Sequence, residues 1–247
     1  MILEGAQAAL ALAPIAFAGG FIQGLTGFGS ALITIPLATF FVPLPYALAV
    51  FAIVDFVNGL RLGLENPRNA VLGDIARMVP FMIVGIVAGT TLLVNLPRNA
   101  SLIALGIFVL GYAIYSLSRR GAPAAVSRNW AFVAGFSGGL SGTLFGAGGP
   151  PYAIYLSHRP LTKEQFRATM TLTTIFSLGL RLIAFAATGL LMQDGVWITA
   201  AAAIPAGLVA IYFASRVFRA ISREMVIRAV GILLLASGAS LIARGLG

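Results

Sequence analysis

The sequence contains no cysteine, one histidine (His158) and only seven Asp and Glu residues in 247. Without thiols, disulfides and thiolate-held zinc or iron–sulfur centres are excluded. One imidazole and few carboxylates leave little from which to build a metal or acid–base site. Charge of either sign is scarce: charged residues make up 9% of the chain, against about 25% in a soluble domain. A surface so poor in charge is not made to face water. The apolar runs are continuous and do not alternate with polar residues, which argues against a β-barrel and for transmembrane helices. No Gly-x-x-x-x-Gly-Lys-Ser/Thr occurs, so this chain does not bind ATP through such a loop. Glu4 stands where a cleaved signal peptide would be basic, and the first apolar run is expected to be retained.

What is present is hydrophobic: 59% of residues, with a mean hydropathy of +0.98. The formal net charge of +9 does not indicate nucleic acid, because the cations lie in short loops between apolar runs, as the positive-inside bias requires. Six runs read as ordinary spans: residues 45–64, 75–95, 100–117, 166–190, 196–217 and 225–242. Each is near the ~20 residues that cross ~30 Å of hydrocarbon. Trp130 and Trp197 fall at run boundaries and read as interface anchors.

Two further runs carry a repeated motif. Gly20-Phe21-Ile22-Gln23-Gly24-Leu25-Thr26-Gly27 leads to Pro36, and Gly135-Phe136-Ser137-Gly138-Gly139-Leu140-Ser141-Gly142 leads to Pro151. The copies align without a gap at an offset of 115, Gly20 matching Gly135. Residues 6–42 as one straight helix would reach roughly 55 Å, too long for one crossing. Residues 130–157 contain Gly146-Ala147-Gly148-Gly149-Pro150-Pro151, which cannot be regular helix. Each run is therefore expected to be two short helices joined at the glycines.

Loop charge supports that drawing. If each motif run enters and returns, Arg68, Arg77, Arg119, Arg120, Arg128, Arg159, Lys163, Arg167, Arg216, Arg219, Arg223 and Arg228 share one face. Arg98 and Arg244 remain on the other, and the rich face is assigned to the cytoplasm. The second half then enters from the side opposite to the first. Similarity continues past the motif: Gly59-Leu60-Arg61-Leu62 matches Gly179-Leu180-Arg181-Leu182, and Pro80, Arg98 and Gly106 match Pro205, Arg223 and Gly231. The predicted fold is an all-α polytopic membrane protein of two inverted repeats. Each is a glycine-broken, re-entrant-like hairpin followed by three transmembrane helices. The repeats span about 6–118 and about 129–245 of a single domain, 1–247. Inverted halves with paired broken helices point to a secondary transporter with its site at mid-membrane.

On the repeated Gly-Phe-x-x-Gly-Leu-x-Gly…Pro pattern and the two-half layout, the chain resembles the TauE/SafE sulfite exporter family over residues 17 to about 241. Ser30 and Thr34 stand where that family's first motif is commonly richer in glycine. The resemblance implies movement of sulfite, thiosulfate or a small organosulfonate across a bacterial inner membrane, by a multi-pass protein whose basic loops are cytoplasmic.

The residues themselves suggest an anion site. A helix that starts inside the membrane points unpaired N–H groups and partial positive charge at whatever precedes it. Gly29-Ser30-Ala31 in the first copy and Gly148-Gly149 in the second sit at such starts, and Gly27, Phe28 and Gly142 are further candidates to bind the substrate. Thr26, Ser30, Ser141 and Thr143 add hydroxyl donors. The competing reading makes these small residues helix-packing faces, as in Gly20-x-x-x-Gly24. Arg181 lies deep inside its run, where an arginine costs ~2.5–3.5 kcal/mol to insert and commonly faces a cavity. Its planar fork suits a pair of sulfite or sulfonate oxygens. Arg61 is its repeat mate, nearer a span end, and can instead snorkel to the surface. Asp55 is the one carboxylate well inside a span: a partner for Arg181 or a carrier of the coupling proton. Gln23 and Asn58 either line the cavity or bond backbone at a break. Phe28, Phe145, Tyr152 and Tyr155 are gate or packing residues, and His158 reads as a loop residue.

The expected function is a secondary transporter exporting a small sulfur-containing anion by alternating access. No cofactor and no metal are expected, and no nucleic acid. The partners are the anion, the bilayer and a coupling proton or sodium ion, or else the anion's own electrical gradient. An anion channel on the same scaffold is the alternative. An intramembrane enzyme would need a nucleophile–base pair or a metal cluster, which the spans do not offer.

Overall fold

The computed structural model describes residues 5–28, 30–63, 67–118, 126–217, 235–236 and 238–246. Among the described residues all regular structure is helical. In chain order the α-helices are α1 (Gly5–Thr26), α2 (Ser30–Ala38), α3 (Leu44–Gly63), α4 (Leu72–Asn95), α5 (Arg98–Ser118), α6 (Trp130–Phe145), α7 (Gly149–Ser157), α8 (Lys163–Ala187) and α9 (Val196–Val217), with further helix at 238–246. Five stretches are long and apolar enough to cross a bilayer: Gln7–Thr26, Leu44–Gly63, Leu72–Asn95, Glu164–Ala187 and Val196–Val217. In α5 the apolar part is shorter, Asn99–Tyr115. The sixth expected span, 225–242, falls mostly outside the described residues.

Two expectations need correction. The first motif run is not a pair of short helices. Its first arm, α1, has 22 residues, about 33 Å of helix, and the nine-residue α2 folds back along it, with Thr34 and Ser30 against Gly19. Second, the ungapped alignment of the two motifs does not survive as structure. Gly27 ends α1, whereas its sequence mate Gly142 lies inside α6, which runs a further turn to Phe145. Measured between the breaks, Ser30 corresponds to Gly149, not to Phe145. The prolines explain the slip. Pro150 and Pro151 are tolerated in the first turn of α7, where their missing N–H groups would be unpaired anyway, so that arm cannot start a turn earlier. Pro36 sits further inside α2.

Helix ends are set locally. Thr162 and Gln165 form a capping box at the start of α8: Gln165 N donates to Thr162 Oγ1 at 3.2 Å, and Thr162 N to Gln165 Oε1 at 3.0 Å. Pro14, Pro80 and Pro205 lie inside α1, α4 and α9, and neighbouring helices make such breaks tolerable in a membrane. Trp130 and Trp197 are exposed at the starts of α6 and α9.

Close packing rests on small residues, since lipid supplies no hydrophobic drive between helices. Along α1, a Cβ at Gly20 would fall 2.7 Å from Gly207 O, and one at Gly24 would fall 2.6 Å from Ala214 Cβ, both on α9. In the second half, Gly135 and Gly139 of α6 abut the backbone of Met78 and Met82 in α4. For these four motif glycines the packing reading is the one the structure bears out. The long arm of each motif run thus lies against a span of the other half. At the centre lies α3, more enclosed than α4, α8 and α9. The latter helices turn residues such as Val84, Val87, Ile183 and Phe213 outward.

Candidate functional site

The two breaks meet. Gly27 (φ +82°) and Gly146 (φ +72°) take the left-handed conformation that ends α1 and α6. A Cβ at Gly146 would lie 2.9 Å from Ile35 Cγ1 and 3.0 Å from Ala31 Cβ, and one at Gly149 would lie 3.1 Å from Phe28 Cβ. Each turn is therefore seated against the other hairpin. Gly148 caps α7 and Gly149 begins it. Pro150 and Pro151 carry no N–H, so the glycine pair supplies the backbone donors at that end. In the first turn, Thr26 Oγ1 donates to Ile22 O at 2.8 Å and accepts from Phe28 N at 3.2 Å.

Between the turns lies a cavity lined by Gln23 (α1), Phe28, Ser30 and Ala31 (start of α2), Asp55 (α3), residues 146–150 and Tyr152 (second turn and α7), and Thr174, Ser177, Leu178 and Arg181 (α8). Water-sized molecules have about 30 Å³ of it for their centres, two to three times what a single water needs. Two helix N-termini open on this space, each with partial positive charge.

Arg181 is 3% exposed. Its Nη1 donates to Gly142 O, its Nε is buried without a hydrogen-bond partner, and Phe185 lies 5.8 Å below the guanidinium. Asp55 is 4% exposed. Ser30 Oγ donates to its Oδ2 at 2.8 Å, and Gln23 Nε2 donates to its backbone oxygen at 3.4 Å, leaving Gln23 Oε1 unpartnered. Among the described residues Asp55 and Arg181 form no ion pair, although both line the cavity.

Of the residues singled out from sequence, Arg181, Gln23, Phe28, Ser30, Gly148, Gly149 and Asp55 come together here. Others do not. Arg61 is exposed in the last turn of α3 and does not line this cavity. Gly27 faces α8, where a Cβ would meet Thr171 Oγ1 at 3.3 Å. Gly142 stays helical and holds Arg181. Three hydroxyls proposed as donors serve backbone instead: Thr26 within its own turn, Ser141 to Ala147 O at 3.1 Å, and Thr143 to Gly139 O at 2.8 Å. Gly29 lies outside the described residues. Asn58 is buried against Gly207 of α9, its amide unpartnered. Phe145 stacks on Phe108. Tyr155 donates to Asp74 Oδ1 at 2.8 Å.

Sequence reasoning missed Thr174, Ser177 and Leu178, and gave Tyr152 no more than a gate or packing role. The signal was available: 174, 177, 178 and 181 fall on one helical face, so a functional Arg181 marks its neighbours. Tyr152 O–H and Ser177 Oγ, 3.1 Å apart, tie α7 to that face.

Comparison with known proteins adds a family. The model described as "Sulfite exporter TauE/SafE" matches residues 12–241. No curated protein and no solved structure matches the chain.

Proposed function

Since the chain belongs to the TauE/SafE sulfite exporter family, we propose that the cavity between its two glycine breaks is the binding site of a small sulfur oxyanion, exported by alternating access. The observation that carries the reading is Arg181: a buried guanidinium with an unpartnered Nε, in a cavity onto which two helix N-termini open. Donors already in place and not consumed by the protein are what a membrane-buried anion requires. The small volume favours sulfite or thiosulfate over a sulfonate with an extended carbon chain.

The packing supports this mechanism. α1 lies on α9, and α6 on α4, so each half holds an arm of the other, an arrangement that supports two inverted repeats moving about a shared site. Tilting one pair against the other would open the cavity to alternate faces while the backbone N–H groups of Ser30 and Gly149 and the Arg181 guanidinium keep the anion. In a bacterial inner membrane with the basic loops cytoplasmic, expelling a monoanion is downhill by ~2.3 kcal/mol per 100 mV, so no coupling ion is needed.

Purified protein in liposomes tests this directly. Radiolabelled sulfite uptake should saturate and should accelerate when unlabelled sulfite is trapped inside. Flux without such stimulation would make the protein a channel, and no sulfite flux would remove the substrate.

A further inference from the structure

The lining charges bear on the protonation state in which the anion travels. Two charged side chains line the cavity, Arg181 and Asp55, and their formal charges cancel. A monoanion therefore brings the filled cavity to a formal charge of −1, a dianion to −2. At this depth each uncompensated charge is expensive, and the helix N-termini offset only part of it.

The geometry of Asp55 makes the conflict specific. Its Oδ2 accepts from Ser30 Oγ, while its Oδ1 takes no hydrogen bond among the described residues. Ser30, at the start of α2, spends its proton on the carboxylate and has none left for the substrate. An ionised carboxylate can only accept. It repels the bare oxygens of a fully deprotonated oxyanion and accepts from an oxygen that bears hydrogen. Two arrangements satisfy both: the anion brings a hydrogen to an ionised Asp55, or a protonated Asp55 donates to the dianion. They contain the same atoms. Hydrogen sulfite with carboxylate and sulfite with carboxylic acid differ by the position of one proton along one hydrogen bond.

We propose that Asp55 makes the site specific for an oxyanion accompanied by one proton, so that the unit carried is a monoanion whichever partner holds the hydrogen. This rests on the sulfur-oxyanion reading above. The titratable groups facing Asp55 in the cavity are Arg181 from α8 and Tyr152 from α7, while α1 and α2 present the neutral Gln23 and Ser30, and α9 and the Leu190–Met192 turn contribute nothing to the lining.

The test is the pH dependence of sulfite binding to the purified full-length protein, by calorimetry from about pH 6 to about pH 9. Above the pKa of hydrogen sulfite, affinity should fall about tenfold per pH unit, the slope for one proton taken up. Asp55→Asn supplies a neutral side chain that both donates and accepts; its profile should flatten, and sulfate, a dianion throughout, should gain at least about tenfold in affinity. A flat wild-type profile, or an unchanged slope in Asp55→Asn, overturns the proposal. No binding at any pH removes the sulfur-oxyanion reading itself and this inference with it. Should the variant not fold, liposomes holding a pH dye give an independent measurement. Sulfite efflux through the wild-type protein should raise internal pH above the protein-free background, and efflux without that rise overturns the proposal.

Discussion

Arg181 of α8 donates from Nη1 to the carbonyl oxygen of Gly142, in the last turn of α6. Carbonyls there lack helical partners, so the break that creates one cavity-facing helix start also creates the acceptor that orients the guanidinium. One edge of Arg181 is fixed by the hairpin, and Nε is left without a partner.

Arg181→Ala should abolish the thermal stabilisation that sulfite confers without unfolding the protein. Arg181→Lys keeps the charge but not the fork, and should weaken binding at least about tenfold, or about 1.4 kcal/mol. Thermal shift against sulfite concentration measures both. Unchanged stabilisation in the alanine variant would remove Arg181 from the site.

Gly146→Ala should destabilise the protein by about 1–2 kcal/mol from its left-handed backbone alone, and further because the new methyl would meet Ile35 and Ala31 at 2.9 and 3.0 Å. Gly27→Ala shares the backbone penalty but meets nothing closer than Thr171 Oγ1 at 3.3 Å. The melting temperature should therefore drop more for Gly146→Ala than for Gly27→Ala; the reverse order would contradict the seating of the second turn on α2.

Gly20→Leu and Gly139→Leu should both impair folding by prising α1 from α9 and α6 from α4, with the loss read as aggregation on size-exclusion chromatography. Gly111→Leu is the control, because nothing lies within 4 Å of a Cβ there. Equal behaviour of all three would deny the packing role of the motif glycines.

Asp74 accepts from Tyr155 and pairs with Arg159 Nε at 3.4 Å, its side chain 2% exposed. Removing one partner of a buried pair costs about 3–5 kcal/mol. Asp74→Ala should thus cost more than Tyr155→Phe, which loses one hydrogen bond worth about 1 kcal/mol. Denaturation of the two variants, singly and together, gives the coupling; additive losses would mean the contacts are independent.

Reporter fusions at Asn99 and at Lys163 should report opposite faces of the membrane. The same face for both would break the in-and-back drawing of the motif runs.

Much of this was legible from composition and period. Long apolar runs gave α3, α4, α8 and α9 within a few residues, because ~20 apolar residues have one low-energy arrangement in lipid. Arg181 stood out because an inserted cation is costly unless it is used. The matching of the repeats misled at the breaks. Gly27 and Gly142 hold the same place in the repeated motif, yet one ends a helix and the other lies within one, and the difference comes from Pro150 and Pro151 downstream. Arg61 shared the Gly-Leu-Arg-Leu pattern with Arg181 but not its depth. Hydroxyls were the least legible: Ser30, Ser141 and Thr143 look alike along the chain, and only the first reaches a side chain in the cavity.

By itself the sequence determined that this chain lives in a bilayer as helices, where two of them break, and which buried cation demands an explanation, since each follows from the cost of placing backbone or charge in hydrocarbon. Tertiary structure alone decided that the breaks touch, that Asp55 and Arg181 share a cavity without pairing, and which small residues pack and which line the site. Those outcomes depend on contacts between residues far apart in the chain, and no local pattern encodes which face of a helix its distant neighbour will cover.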